Sequence, residues 1–107
     1  SEALLIGHTA LSDEKQAILD ELLFRIHAVQ QAENKKYVLM NVPNENIRAI
    51  VDELPGMKSP TVMPLAKEGW SSLHIVLDEK RFWEMIGKLK LLGAEGILVL
   101  PIEKMIP

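Results

Sequence analysis

The sequence predicts an α+β fold: a four-stranded sheet with two helices on one face, preceded by a short strand and one long amphipathic helix. Three observations predict it. Residues 12–33 carry a single apolar stripe at helical spacing, closed by the polar break Asn34-Lys35-Lys36. After that break, strand-like and helix-like segments follow in the order β-α-β-β-α-β. Proline and glycine fall where the segments change, as at Pro43, Pro55-Gly56, Gly69 and Gly93.

Residues 2–6 read as a short strand and residues 7–11 as a connector. Ser12 or Asp13 can cap the next helix, and Asp13 with Gln16 three residues on resembles a capping box. Ile18, Leu19, Leu22, Leu23, Ile26 and Val29 form the stripe. Lys15, Asp20, Glu21, Arg25 and Gln31 take the opposite face, so the helix ends near Glu33. Residues 37–42 are a strand. Pro43-Asn44 starts a helix striped by Ile47, Ile50, Val51 and Leu54, which Pro55-Gly56 stops. Residues 61–65 form a strand despite Pro60 and Pro64, which points to an edge or a distorted, ligand-facing position. Lys67-Glu68-Gly69 turns the chain into a hairpin partner, residues 70–77. Asp78 caps a helix with Phe82, Met85, Ile86, Leu89 and Leu92 on one side. Gly93 ends it, because glycine accepts positive φ without penalty. Residues 97–100 close the set as a wholly apolar strand, the pattern of a strand covered on both faces or tucked inside a sheet.

With right-handed crossovers and an antiparallel central pair, this order makes a ferredoxin-like sandwich of the ACT- and PII-like type. The helices account for one sheet face. The other has no helix left to cover it and should meet another subunit or domain. The 107 residues suffice for one domain or one domain plus a piece of another. The opening at Ser1, inside the apolar run Ala3-Leu4-Leu5-Ile6, reads as an excised piece, with residues 1–34 leaving one domain and residues 35–107 forming the next.

Composition narrows the function classes. Charged residues make up 25% of the chain and hydrophobic ones 48%, as in ordinary soluble domains. A formal net charge of −3 without a Lys/Arg cluster argues against nucleic acid or an anionic membrane as partner. Apolar runs fall far short of the ~20 residues that cross a bilayer. The absence of cysteine excludes disulfides and thiolate chemistry and suits the cytoplasm. His8, His27 and His74 lack metal-ligand spacing, which favours structural or surface roles. Asp52-Glu53 and Glu79 flank helix ends as solvated caps. Ser71-Ser72 has no nucleophile elbow, and Gly93-x-x-Gly96 precedes a strand rather than the helix a phosphate cradle needs. Trp70 and Trp83 read as packing residues. No catalytic residue and no metal ligand emerges.

Two segments carry a resemblance. Lys88-Leu89-Lys90-Leu91-Leu92-Gly93-Ala94, followed by Ile97-Leu98-Val99-Leu100-Pro101-Ile102-Glu103-Lys104-Met105, closely resembles the end of long-form ATP phosphoribosyltransferases. Leu54-Pro55-Gly56-Met57-Lys58-Ser59-Pro60-Thr61-Val62, then Pro64-Leu65-Ala66, resembles the same family. Helix stop, turn and edge strand explain Pro55 and Gly56. They do not explain Ser59 and Thr61 alternating with two prolines, which stiffen the segment and leave hydroxyls and N–H groups for a small polar ligand.

The resemblance covers essentially the whole chain and implies the regulatory domain of a glycosyltransferase that opens histidine biosynthesis. In that family the domain binds L-histidine for feedback inhibition and supports hexamer assembly. The catalytic domains, which use magnesium, lie outside this sequence, so the chain alone should be inactive and free of cofactors. Carried over, the histidine pocket comprises Asn41, Met57, Ser59, Thr61, Val76 and Gly96. Asn41 stands where some members have an acidic residue, and an amide cannot supply a charge-assisted bond. That predicts weaker histidine binding or altered pH dependence. The rival expectation is a ferredoxin-like oligomerisation module without a ligand.

Overall fold

A computed structural model of the chain describes residues 12–54 and 60–106. The expected strand at 2–6, the connector at 7–11, His8 and the Pro55-Gly56 helix stop lie outside the described residues. Helix α1 spans Asp13–Ala32, strand β1 Lys35–Pro43, a 3₁₀ turn Asn44–Asn46, helix α2 Ile47–Asp52, strand β2 Thr61–Pro64, strand β3 Trp70–Asp78, helix α3 Glu79–Leu91 and strand β4 Glu95–Pro101. The strands form one antiparallel sheet in the order β2-β3-β1-β4, the topology expected of a ferredoxin-like βαββαβ unit.

Strict alternation on the central strands builds the core. Val38, Met40 and Val42 of β1 and Leu73, Ile75 and Leu77 of β3 point to the helix side and are buried. Ile50 and Leu54 meet them from α2 and its exit, and Phe82, Met85 and Leu89 from α3. Two polar pairs sit at the edge of the core, while Arg81 Nε is buried without a hydrogen-bond partner among the described residues. The Ser71 hydroxyl donates to Asn44 Oδ1 at 2.6 Å, and Asn46 Nδ2 donates to the Leu92 carbonyl at 2.7 Å. That second bond ties the entry of α2 to the exit of α3.

Several local expectations are corrected. Ser12, not Asp13, caps α1: its side chain accepts from the Lys15 amide at 3.3 Å, while Gln16 reaches forward to Asp20. Asp78 starts α3 without a side-chain cap bond, because its carboxylate is held by Lys35 at 2.8 Å across the sheet. Asn44 begins a 3₁₀ turn, and the α-helix starts only at Ile47. The apolar closing strand is neither internal nor covered on both faces. β4 is an edge strand paired only to β1, and Leu98 is 58% exposed. It also begins at Glu95, so Gly96 lies within it rather than in a preceding bend. An all-apolar run therefore marks surface left bare by the described residues, not surface already covered.

Helix α1 follows the same logic. Only Ala28 and Ala32 are buried, where the Met105 amide donates to the Ala28 carbonyl at 2.9 Å. Of the predicted stripe, Leu19, Leu23 and Ile26 are half-buried, while Ile18 is 64% and Val29 51% exposed, so the described residues cover only part of it.

Two glycines are required by geometry. Gly93 (φ +90°) ends α3, and a Cβ there would stand 2.9 Å from Pro43 Cγ. Gly96 (φ +59°) sits at the register shift between β1 and β4, with Asn41 Nδ2 3.3 Å from where its Cβ would be.

Chemical denaturation should separate these contributions. Leu89→Ala removes a side chain with 0% exposure and is expected to cost about 2–5 kcal/mol. Leu91→Ala, two residues on at 88% exposure, is expected to stay within about 0.5 kcal/mol. Gly93→Ala combines a left-handed backbone with a contact against a proline ring and should lose about 1–3 kcal/mol. Equal effects at Leu89 and Leu91 would contradict this packing.

Candidate functional site

The alternation that buries one sheet face leaves the other open, and the register states what lies on it. Thr61 of β2 is opposite His74 of β3, which is opposite Leu39 of β1, which is opposite Leu98 of β4. One pleat along, Met63 is opposite Ser72 and Ser72 opposite Asn41, with Glu95 beyond it at the bulge. One pleat the other way, Val76 is opposite Tyr37 and Tyr37 opposite Leu100. Thr61, Val76 and Asn41 thus share the open face, and Gly96 adjoins Asn41. Met57 and Ser59 lie outside the described residues.

Three polar side chains join these positions. Tyr37 Oη lies 3.0 Å from His74 Nδ1, and Ser72 Oγ lies 2.9 Å from His74 Nε2. The Tyr37 and His74 rings meet edge to face, with centroids 5.8 Å apart. His74 therefore holds both ring nitrogens in hydrogen bonds across the middle of the face. Sequence reading weighed His74 as a metal ligand and Ser71-Ser72 as a nucleophile, and missed the cluster. The signal available was the i, i+2 spacing of Ser72 and His74 on one strand; Tyr37 joins only through the β1–β3 register.

The face is broad and shallow. With neighbouring strands about 4.8 Å apart, Thr61 on one edge and Gly96 on the other lie roughly 14 Å apart, beyond the reach of one free amino acid. Grooves occur elsewhere. One of about 340 Å³ runs between α3 and β4, lined by Phe82, Trp83, Ile86, Ile97 and Val99. Another borders β2 and α2, lined by Ile47, Val51, Pro60 and Val62. Neither takes in Asn41, Thr61, Val76 or Gly96. A flat polar–apolar face becomes a small-molecule site when a second surface closes over it.

Among the described residues no group of three or more histidines, cysteines or carboxylates could hold a metal ion. No described helix is long and apolar enough to cross a membrane. His27 bonds Gln31 on α1 at 2.9 Å, outside the sheet. The acids flanking helices are ion-paired at the surface, as with Glu53 and Lys88 at 2.6 Å and Asp52 near Arg48.

Comparison with known proteins gives the family. The chain is 76% identical over 106 residues to an ATP phosphoribosyltransferase of Phocaeicola vulgatus, 72% over 106 to that of Bacteroides thetaiotaomicron and 66% over 105 to that of Parabacteroides distasonis. These matches cover 99%, 99% and 98% of the chain and 38%, 38% and 37% of the relatives. The chain thus spans less than two fifths of the length of the curated relatives it matches. The family model described as "HisG, C-terminal domain" matches residues 32–104. That interval contains the whole sheet, both of its helices and every open-face residue named above, and the chain belongs to the HisG C-terminal domain family.

Proposed function

We propose that this chain is the regulatory part of an ATP phosphoribosyltransferase and binds L-histidine on the open sheet face, as feedback control of histidine biosynthesis. The observation that carries the reading is the register. It gathers Thr61, Val76 and Asn41 on one uncovered face, with Gly96 beside Asn41, in a chain of this family. The width of that face supports a site closed by a second copy. Thr61 and Val76 on the β2 side and Asn41 and Gly96 on the β4 side then serve as two half-sites. Histidine bound between copies would favour an assembly, up to the hexamer, in which the attached catalytic domains are less active. For that it must bind that assembly better than the active one.

A second reading has its own observation. The open face also carries exposed Met63, Leu98 and Leu100, and such apolar surface is what an oligomerisation module without a ligand would present.

Calorimetry on this chain, with its mass in solution measured in parallel, separates the two. Histidine binding is expected to release or absorb measurable heat and to increase association. Association without any histidine signal would favour the second reading. Thr61→Val removes one hydroxyl, a loss of about 1 kcal/mol or roughly fivefold in Kd. Asn41→Asp restores an ionised acceptor. Because charge-assisted bonds are about twice as strong as neutral ones, histidine should bind roughly fivefold tighter. Unchanged affinity in both variants would remove these residues from the site.

A further inference from the structure

Helix α1 enters the sheet through the corner Glu33-Asn34, where Asn34 stands at a left-handed φ of +66°. One main-chain bond holds that corner: the Asn34 carbonyl accepts from the Glu79 amide at 2.8 Å. A single tie at a corner leaves a helix free to swing about it. A second tie stands six residues back, roughly 9 Å along the helix axis. There the Met105 amide donates to the Ala28 carbonyl at 2.9 Å. Two ties at different heights fix a direction; one does not.

The outer donor belongs to the stretch that leaves β4. Residues 102–106 add no further strand or helix, with Ile102 and Met105 half-buried and Glu103 and Lys104 exposed. Ala28 and Ala32, four residues apart on one helix face, are the buried residues of α1. Side chains this small let another backbone approach the helix, and a helical carbonyl keeps a second lone pair for a donor from outside. We propose that residues 102–106 are a strap that fixes the direction of α1 and carries the state of β4 to the catalytic part preceding α1 in the full-length protein.

The device has two states. Docked, the strap holds α1 at one angle to the sheet; released, α1 pivots on Asn34. β4 leads directly into the strap, is an edge strand, and leaves Leu98 and Leu100 bare for the second copy proposed above. A copy seated on β4 restrains its end and the strap together, so assembly favours the docked state. The strap rests on the regulatory reading above, but its geometry requires no ligand.

The chain has no cysteine, so nitroxide labels can be placed at exposed positions by Ala17→Cys on α1 and Lys90→Cys on α3. Electron–electron distances in this double variant, diluted with unlabelled chain, are expected to form one narrow distribution. Met105→Pro, which removes the amide donor, should broaden it; Met105→Leu, which keeps the donor and an apolar side chain, should not. Should Met105→Pro fail to fold, Ala28→Leu crowds the strap with every main-chain donor in place and reads the same width. A width unchanged in the folded variant overturns the strap. In the full-length protein, Met105→Pro should raise the L-histidine concentration for half-maximal inhibition about fivefold or more. Calorimetry on this chain should show the same substitution leaving the Kd for L-histidine unchanged. Unchanged inhibition, or an equal loss of binding by the chain itself, overturns the transmission through α1. An unaltered full-length protein that L-histidine does not inhibit overturns the regulatory reading, and the distances still decide the strap.

Discussion

Everything in this chain depends on the register of β1 against β3. Their nine pairs run unbroken from Lys35↔Asp78 to Pro43↔Trp70. A slip of one residue would turn one of the two strands over. If β1 flips, Val38, Met40 and Val42 face outward and Tyr37 and Asn41 are buried; if β3 flips, Leu73 and Ile75 face outward and Ser72 and His74 are buried. Devices at both ends oppose that slip. At one end Lys35 holds Asp78, and the Glu79 amide donates to the Asn34 carbonyl at 2.8 Å. At the other, the Asn44 amide donates to the Gly69 carbonyl at 2.8 Å and Asn44 accepts from Ser71. The apolar core supplies most of the driving force, since burying the wrong face would strand hydroxyls, an amide and an imidazole away from water.

Much of the fold was legible because its signals are periodic. The stripes of α1 and α3, the alternation of β3 and the glycine stop at Gly93 each follow from local spacing, and the strand order follows from chirality rules applied to those elements. The edge position of β2 was readable from Pro60 and Pro64, whose missing donors an inner strand could not tolerate. The status of β4 was misread for a physical reason. An apolar run states that a surface prefers to be covered, and says nothing about which chain covers it. The choice of Ser12 over Asp13 as cap, and the diversion of Asp78 to Lys35, turned on side-chain competition that spacing does not encode. At the site, the candidate positions were carried by resemblance. The Tyr37–His74–Ser72 run was invisible because Tyr37 and His74 lie 37 positions apart and meet only through the register.

The open face is an incomplete surface with a defined chemistry. It offers hydroxyls, an imidazole and an amide in its middle, flanked by apolar residues toward the edges. On one isolated copy it is too flat and too broad to enclose an amino acid. That property suits a regulatory element, because a ligand that needs two copies to complete its site couples binding to assembly without any change inside the fold. Helix α1, with Ile18, Leu22 and Val29 of its stripe exposed, adds a second partly uncovered surface at the other end of the chain.

The central claim is that the open face, and not the helix-side grooves, receives L-histidine. Titrating the isotopically labelled chain with L-histidine and following backbone amide shifts tests it most directly. The account predicts changes at Asn41, Thr61, Ser72, His74 and Gly96, with Ile50, Phe82 and Leu89 unmoved. Changes confined to Phe82, Ile86 and Ile97 around the α3–β4 groove, or no changes at saturating histidine, would contradict it.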